Sequence, residues 1–218
     1  MRVLITDDHQ NMIDSLKTIL TYAFESEKNV HIVESLNCTD AILAIKKHTE
    51  ADEPFDLAIL DYSMPGNPEY EIFNGGDLCL FLREKMPLCK SFFFTAHLED
   101  FTVMDLDQRV KPDAIVIKSD VSGSELMNAI KDVVKGNKYK STSVLQKTHK
   151  MWEEEIFTKE TNRKIVKLIS SGYKIREIAD ALSLTEVAIQ KRIAKIKKGL
   201  NITDDTSILR EVKRRGYL

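Results

Sequence analysis

The stretch Leu57-Ala58-Ile59-Leu60-Asp61 places four apolar residues directly before an aspartate. A short, wholly apolar run of this kind is typical of a strand that is buried on both faces of a parallel sheet. An acid at the end of such a strand lies at the carboxyl edge of the sheet, where ligands bind in open α/β folds. Residues 57–61 therefore indicate both a fold class and the place of a functional site.

Four further apolar runs stand at residues 3–5, 30–33, 92–94 and 114–117. Between the runs, apolar residues recur at helical spacing, as Leu78, Leu82 and Met86 do. Strands that alternate with helices require right-handed crossovers and give a parallel sheet with helices on both faces. We therefore predict a doubly wound, five-stranded parallel sheet over residues 1–136.

Polar residues follow the other predicted strands in the same way. Asp7 and Asp8 follow the first strand, Thr95 ends the fourth, and Lys118 follows the fifth. Taken singly, each residue is more often a helix cap, a strand former or a solvated surface lysine. Taken together, they predict a site in which carboxylates bind Mg²⁺, Asp61 accepts a phosphoryl group, and Lys118 and Thr95 stabilise its oxygens.

Composition excludes several classes of protein. The chain of 218 residues is 43% hydrophobic and 30% charged, with no apolar run near the roughly 18 residues that a membrane span needs. The N-terminus enters a strand at once, with no pattern of a secretory signal, so we expect a cytoplasmic protein. Three widely spaced cysteines fit neither a disulfide framework nor a zinc site.

The overall charge of −2 hides an asymmetry between the two parts of the chain. Residues 1–151 carry a net charge of −7 and residues 152–218 a net charge of +5. The polar, Lys/Ser/Thr-rich segment between the two parts indicates a linker at residues 137–154. A small basic domain at residues 155–218 suggests that only the back half has a polyanionic partner.

The back half predicts four helices, with a helix-turn-helix between residues 175 and 198. Ser183-Leu184 forms the turn, and Thr185 is the expected N-cap of the second helix. The outer face of that helix is polar and basic, and its size suits the DNA major groove. The predicted DNA-binding residues are Thr185, Gln190, Lys191, Arg192, Lys195 and Lys198.

The front half resembles the receiver domain of bacterial two-component response regulators. The resemblance rests on residues 5–9 (Ile-Thr-Asp-Asp-His), 60–66 (Leu-Asp-Tyr-Ser-Met-Pro-Gly), 94–96 and 116–118. It implies a flavodoxin-like fold, phosphorylation of Asp61 by a sensor histidine kinase, and Mg²⁺ held by Asp7, Asp8, Asp61 and the carbonyl of Ser63.

The sequence departs from the receiver pattern at two places. Receivers usually carry an aromatic residue three positions before the lysine, and here that position is Ile115. A long loop at residues 67–74 also follows the Met-Pro-Gly turn and borders Asp61. The first departure puts the usual aromatic switch in doubt, and the second predicts a cover for the site or an influence on kinase choice.

The back half resembles the four-helix DNA-binding domain of the NarL/FixJ and LuxR regulators. The resemblance rests on residues 167–172, 175–179, 182–186 and 189–192. The family's usual Val-Lys base-reading pair is replaced here by Ile189-Gln190, and Asn162 and Lys164 stand where the family has acids. The resemblance implies binding of double-stranded promoter DNA, but a different target sequence.

Together these patterns predict a response regulator that acts as a transcription factor, phosphorylated on Asp61, with a homodimer as its active form. Two alternatives stay open. One is a DNA-binding regulator whose receiver no longer responds to phosphate. The replacement of the usual aromatic residue by Ile115 supports this alternative. The other is a phosphohydrolase with an aspartyl-phosphate intermediate, which typically needs an acid two residues beyond the nucleophile, where Ser63 stands. We therefore expect a regulator and not an enzyme.

Overall fold

The computed structural model describes residues 1–25, 30–96, 99–200, 202 and 206–214. In the helices at its C-terminal end, the side chains at positions 152, 153, 155–158, 206 and 209 also lie outside the description. The chain forms two compact units, residues 1–147 and residues 148–218. Each unit has an apolar core of its own.

The first unit is built on one parallel sheet. Its strands are β1 Arg2–Thr6, β2 His31–Ser35, β3 Leu57–Leu60, β4 Lys90–Thr95, β5 Ala114–Ile117 and β6 Tyr139–Lys140. The order across the sheet is β2-β1-β3-β4-β5-β6, and every pair is parallel. The predicted doubly wound fold is confirmed, but the described residues form six strands and not five.

Helices cover both faces of this sheet. They are α1 Gln10–Ala23, α2 Cys38–Glu50, α3 Gly75–Lys85, α4 Asp100–Met104 and α5 Gly123–Val134. The helices α1 and α5 pack on one apolar cluster, and α2 and α3 pack on the other. A π-helical turn at Asp105–Val110 continues α4. The strands alternate their side chains between the two clusters, which is why the apolar runs in the sequence are unbroken.

The helix starts follow from local polar side chains. Asn37 and Asn74 each accept a hydrogen bond from a backbone N–H three residues on, which fixes the first turns of α2 and α3. Ser122 and Glu125 form a reciprocal capping box at the start of α5. These caps set where each helix leaves the carboxyl edge of the sheet, and so fix the loops that carry the site.

The segment that we expected to be a linker, residues 137–154, is largely structured. It contains β6 and most of α6, which runs from Thr142 to Thr158 across the division between the two units. The strand was missed because two residues carry no periodic signal. Val144, in the first turn of α6, is fully buried in the cluster that α2 and α3 cover.

The described residues of the second unit form four further helices, α7 Glu160–Ser170, α8 Ile175–Ala181, α9 Glu186–Leu200 and α10 Thr206–Arg214. Isoleucines dominate its core, and Ile165, Ile178, Ile189, Ile196 and Ile208 are all buried. Between α9 and α10, residues 201 and 203–205 lie outside the described part. Among the described helices, none combines the length and apolarity needed to cross a bilayer.

Candidate functional site

The predicted site residues meet at the carboxyl edge of the sheet. Asp7 follows β1, Asp61 follows β3, Thr95 ends β4 and Lys118 follows β5, and these four strands are neighbours. The Lys118 Nζ lies 2.6 Å from Asp7 Oδ2 and 3.9 Å from Asp61 Oδ2. One ammonium group thus faces two carboxylates that come from strands 54 residues apart in sequence.

Burial decides the electrostatics of this group. Asp7 is 1% exposed and Asp61 is 6% exposed, and Thr95 is also buried. Burial raises the pKa of the Asp61 carboxyl; Lys118 and a hydrogen bond from Thr95 oppose that rise, and the neighbouring Asp7 adds to it. Ionised Asp61 therefore reduces the stability of the folded protein, and additional positive charge at the site would lessen this effect.

A third carboxyl group, that of Asp8, and the imidazole of His9 lie at the exposed side of the site. His9 Nδ1 is 2.6 Å from Asp8 Oδ1 and 3.4 Å from Asp7 Oδ1. One potential ligand atom from each of Asp7, Asp8 and His9 lies within 4.8 Å of the others. His9 was not among the predicted site residues, although its position directly after the Asp-Asp pair was a visible signal.

The chemistry of the donor set fits a hard divalent cation. Asp7, Asp8 and Asp61 offer carboxylate oxygens, which are the ligands that Mg²⁺ prefers. Ser63 lies two residues after Asp61 with an exposed side chain, and its backbone carbonyl is the ligand that the resemblance to receivers implies. The assignment of Mg²⁺ to these four residues remains a prediction.

The residue after Asp61 fixes one of its two oxygens. The backbone N–H of Tyr62 donates to Asp61 Oδ1 at 2.9 Å, so Oδ2 is the oxygen that faces Lys118. Gly75 packs against this turn so closely that a Cβ there would lie 2.0 Å from the backbone oxygen of Asp61. Only glycine fits at position 75, a requirement that the sequence alone does not reveal.

The loop at residues 67–74 is ordered and lies beside the site. Asn67 and Ile72 exchange two backbone hydrogen bonds, and the side chain of Ile72 is buried in the core. Lys46 of α2 donates to the Tyr70 hydroxyl at 2.7 Å, and Asn67 donates to Thr39 at 3.0 Å. The loop is thus fastened to α2 along its length, and its role towards a kinase stays a prediction.

Ile115 occupies an interior position of β5. It is 2% exposed and belongs to the same apolar cluster as Val144. Its neighbours in the sheet are Phe93 of β4 and Lys140 of β6. The position where receivers usually have an aromatic residue is therefore covered by the chain's own sixth strand.

In the second unit, α8 and α9 are joined by a tight turn. Ser183 has a φ of 52°, and the Leu184 N–H donates to the Ala179 carbonyl at 2.9 Å. The Thr185 hydroxyl accepts from the Ala188 N–H at 3.2 Å, so Thr185 caps α9 as the sequence predicts. This is a helix-turn-helix arrangement.

The predicted DNA-binding residues differ in exposure. Gln190, Lys191 and Lys198 are exposed, whereas Lys195 is half-buried. Arg192 is also half-buried and donates to the side chain of Asn162 at 3.4 Å, so part of its guanidinium faces the domain interior. The outward face of α9 is therefore centred on Gln190 and Lys191. Contact of any of these residues with DNA remains a prediction.

The chain thus combines a parallel sheet that carries an edge site with a small helix-turn-helix unit. Its similarity to known proteins fits this arrangement. The chain is 25% identical over 212 residues to the transcriptional regulatory protein MctR of Rhizobium johnstonii, covering 96% of this chain and 92% of MctR. It is 25% identical over 213 residues to the response regulator VraR of Staphylococcus epidermidis, and the match covers 94% of this chain and 93% of VraR.

A structure of the response regulator RcsB of Salmonella typhimurium superposes with a TM-score of 0.58 at 21% identity, covering 98% of both chains. No family model matches the chain. The resemblance to two-component response regulators with a LuxR-type domain is thus confirmed along the whole chain, by the curated relatives for the sequence and by RcsB for the fold.

Proposed function

We propose that this protein is a two-component response regulator whose Asp61 is phosphorylated by a sensor histidine kinase and whose helix-turn-helix binds promoter DNA. The observation that carries the proposal is the approach of the Lys118 ammonium to both Asp7 and Asp61 at the end of four adjacent strands. A lone lysine held between two buried carboxylates is costly to build for stability alone, because each buried charge loses its hydration. It is well suited to a site that receives further negative charge.

The proposed chemistry uses one oxygen of Asp61 as a nucleophile. Because the Tyr62 N–H holds Oδ1, we assign the attack on phosphorus to Oδ2. The phosphorus–nitrogen bond of a phosphohistidine breaks as the new phosphorus–oxygen bond forms, and the imidazole leaves. Lys118 and the Thr95 hydroxyl are positioned to stabilise the transferred oxygens.

Mg²⁺ is the expected cofactor. Asp7, Asp8, Asp61 and the Ser63 carbonyl would hold it, and it would offset negative charge on the phosphoryl oxygens. The neighbouring Asp7 adds to the cost of ionising Asp61, so a bound cation would also favour the joint ionisation of these two carboxylates.

The proposed output is DNA binding through α9. The second part of the chain is basic, and the outer face of α9 carries Gln190, Lys191 and Lys198. RcsB structures are described as dimers bound to DNA, which supports a dimer on DNA for this chain as well. A histidine kinase and promoter DNA as partners both imply a cytoplasmic protein.

Phosphorylation with a small donor tests the proposal. The protein is incubated with acetyl phosphate and Mg²⁺, and its intact mass is followed with time. We expect a stable increase by one phosphoryl group, and we expect Asp61→Asn to abolish it. Asp132→Asn, at an exposed position on α5, is the matched control and should take up phosphate as the unchanged protein does.

The same experiment separates the two alternatives. Steady release of phosphate without an accumulated adduct would support a phosphohydrolase. The absence of any adduct, with DNA binding retained, would support a regulator that no longer responds to phosphate. We expect neither, because Ser63 supplies no second acid and the charged residues of the site stand within reach of one another.

A further inference from the structure

The turn that carries Lys118 is bonded to the start of α6. Lys118–Asp120 form a single 3₁₀ turn after β5. Lys118 at its first position points to Asp7 and Asp61, as described above. Asp120 at its last position accepts two hydrogen bonds from Ser143, one from the backbone N–H at 2.9 Å and one from the hydroxyl at 2.6 Å.

These bonds give α6 an N-terminal cap from a distant part of the chain. The Leu145 N–H donates to the Ser141 carbonyl and makes the first hydrogen bond of the helix. The N–H groups that lie before it, that of Ser143 among them, need acceptors from outside the helix. Asp120 satisfies one of them and places a negative charge where the helix dipole favours it. Partial burial acts to raise the pKa of Asp120, but hydrogen bonds from Ser141 and Ser143 outweigh it and lower that pKa.

Ser141 strengthens the same connection. Its hydroxyl accepts from the Ile117 N–H at 3.1 Å and also hydrogen-bonds to Asp120, and its own N–H donates to the Ile115 carbonyl at 3.0 Å. Ser141 is itself buried. The end of β5, the Lys118 turn and the start of α6 therefore share one hydrogen-bonded network.

Residues 140–147 are also held in place by contacts that do not involve the Lys118 turn. Lys140 pairs with Asp107 in the π-helical turn, and Lys147 pairs with Asp100 at the start of α4. Val144 fills the apolar cluster beneath. Residues 140–147 are thus held at several points, and the bonds to Asp120 link them to the turn that carries the lysine of the site.

We propose that Asp120 is a positioning residue that sets the Lys118 turn and transmits the phosphorylation state of Asp61 to the start of α6. The inference rests on the function proposed above. A phosphoryl group on Asp61 draws the Lys118 ammonium from Asp7 towards itself, which shifts the short turn and loosens the Asp120 cap at its other end. Because coupling is reciprocal, loss of the cap also changes how readily Asp61 accepts the phosphoryl group.

Amide hydrogen exchange of the full-length protein, with and without acetyl phosphate and Mg²⁺, tests this inference. In the unchanged protein we expect phosphorylation to speed exchange at residues 142–147 by about fivefold. This is the factor by which the loss of one ordinary hydrogen bond increases the population of the open, exchanging state. In Asp120→Ala, which removes both acceptor oxygens, we expect exchange there to be fast already and to change less than about twofold on phosphorylation. The rate of Asp61 phosphorylation should also differ from that of the unchanged protein.

Asp107→Asn is the matched control. It removes the contact with Lys140 and so loosens the same segment, but it leaves the Lys118 turn intact. We expect it to raise basal exchange at residues 142–147 while keeping both the response to phosphorylation and the phosphorylation rate. Ser143→Ala removes the hydroxyl bond to Asp120 and keeps the bond from the backbone N–H, so it should show part of the effect of Asp120→Ala. It also covers the case in which Asp120→Ala does not fold.

The outcomes distinguish this inference from the proposed function. If no phosphoryl adduct forms on the unchanged protein, the proposed function fails and the inference fails with it. If the adduct forms but exchange at residues 142–147 stays constant or slows, only the inference is overturned. An equal response in Asp120→Ala and in the unchanged protein would also overturn it, as would the loss of response in Asp107→Asn.

Discussion

At the scale of single residues, Asp61 combines a buried position with a charge that its proposed role requires. Its carboxyl group is 6% exposed, and burial is the largest influence on its pKa. Such a group reduces the stability of the folded protein whenever it is ionised, because the unfolded chain hydrates the charge freely. The site is therefore expected to trade stability for reactivity.

This trade predicts a pH dependence. Since the folded state raises the pKa of Asp61, the folded state holds the proton more tightly than the unfolded state does. The free energy of unfolding should therefore fall as pH rises through the range above the ordinary aspartate value of 3.8. Asp61→Asn removes this titration, and we expect it to raise the free energy of unfolding near pH 7 by about 1–2 kcal/mol.

Urea unfolding of Asp61→Asn and of the unchanged protein, between acidic and neutral pH and without Mg²⁺, measures this effect. The difference between the two proteins should grow as pH rises. The exposed Asp132→Asn should show no such growing difference. An Asp61→Asn protein that is less stable than the unchanged one at neutral pH would contradict this account.

Sequence reasoning succeeded for residues whose place follows from a strand end. Asp7, Asp61, Thr95 and Lys118 were found because each follows an apolar run, and parallel strands bring their ends to one edge. Asp120 was missed because its partner Ser143 lies in a polar stretch without a recognisable period. Side-chain pairs of that kind depend on how the chain returns in space, and the sequence gives them no local signature.

At the scale of elements, α9 shows how a buried stripe fixes an outer face. Ile189, Ile193 and Ile196 point into the core at helical spacing. Gln190 and Lys191 are exposed as a consequence, and Thr185 fixes the first turn through its cap. The sequence predicted this face, but it did not predict that Arg192 turns towards Asn162.

The exposed position of Lys191 leads to a prediction about DNA binding. If Lys191 contacts a phosphate, Lys191→Ala should weaken binding to a promoter fragment about tenfold, or about 1.4 kcal/mol. The slope of log affinity against log salt should become shallower by about one. Fluorescence anisotropy over a series of salt concentrations measures both quantities.

Lys167→Ala, at an exposed position on α7, is the control for this measurement. It removes the same charge from the domain without touching α9. Equal losses in the two variants would indicate that net charge, and not the face of α9, governs binding. Binding that does not respond to salt would argue against phosphate contacts altogether.

At the scale of the whole molecule, the division between the units lies later than the sequence indicated. We predicted a first domain of residues 1–136, whereas the compact unit extends to residue 147. The difference consists of β6 and the start of α6, whose polar composition resembles a linker. Val144 is the one fully buried apolar side chain in that stretch, and a single apolar residue gives no period from which a helix could be inferred.

The two boundaries can be compared directly as fragments. A fragment of residues 1–147 keeps β6 and Val144, and a fragment of residues 1–136 loses both. We expect the shorter fragment to be less stable by at least about 2 kcal/mol, because full burial of one valine alone contributes about 1.5–3 kcal/mol. Urea unfolding monitored by circular dichroism measures the difference. Equal stability of the two fragments would support the boundary at residue 136.

The sixth strand also alters the rim of the sheet. Without it, β5 would present a free row of backbone N–H and C=O groups, and such rows can recruit strands from other molecules. Here the chain's own residues 139–140 pair with β5, so the edge strand on this side of the sheet is only two residues long. If phosphorylation releases the start of α6, as we propose, and β6 comes away with it, a longer edge of β5 would be uncovered and the protein would be more open to self-association.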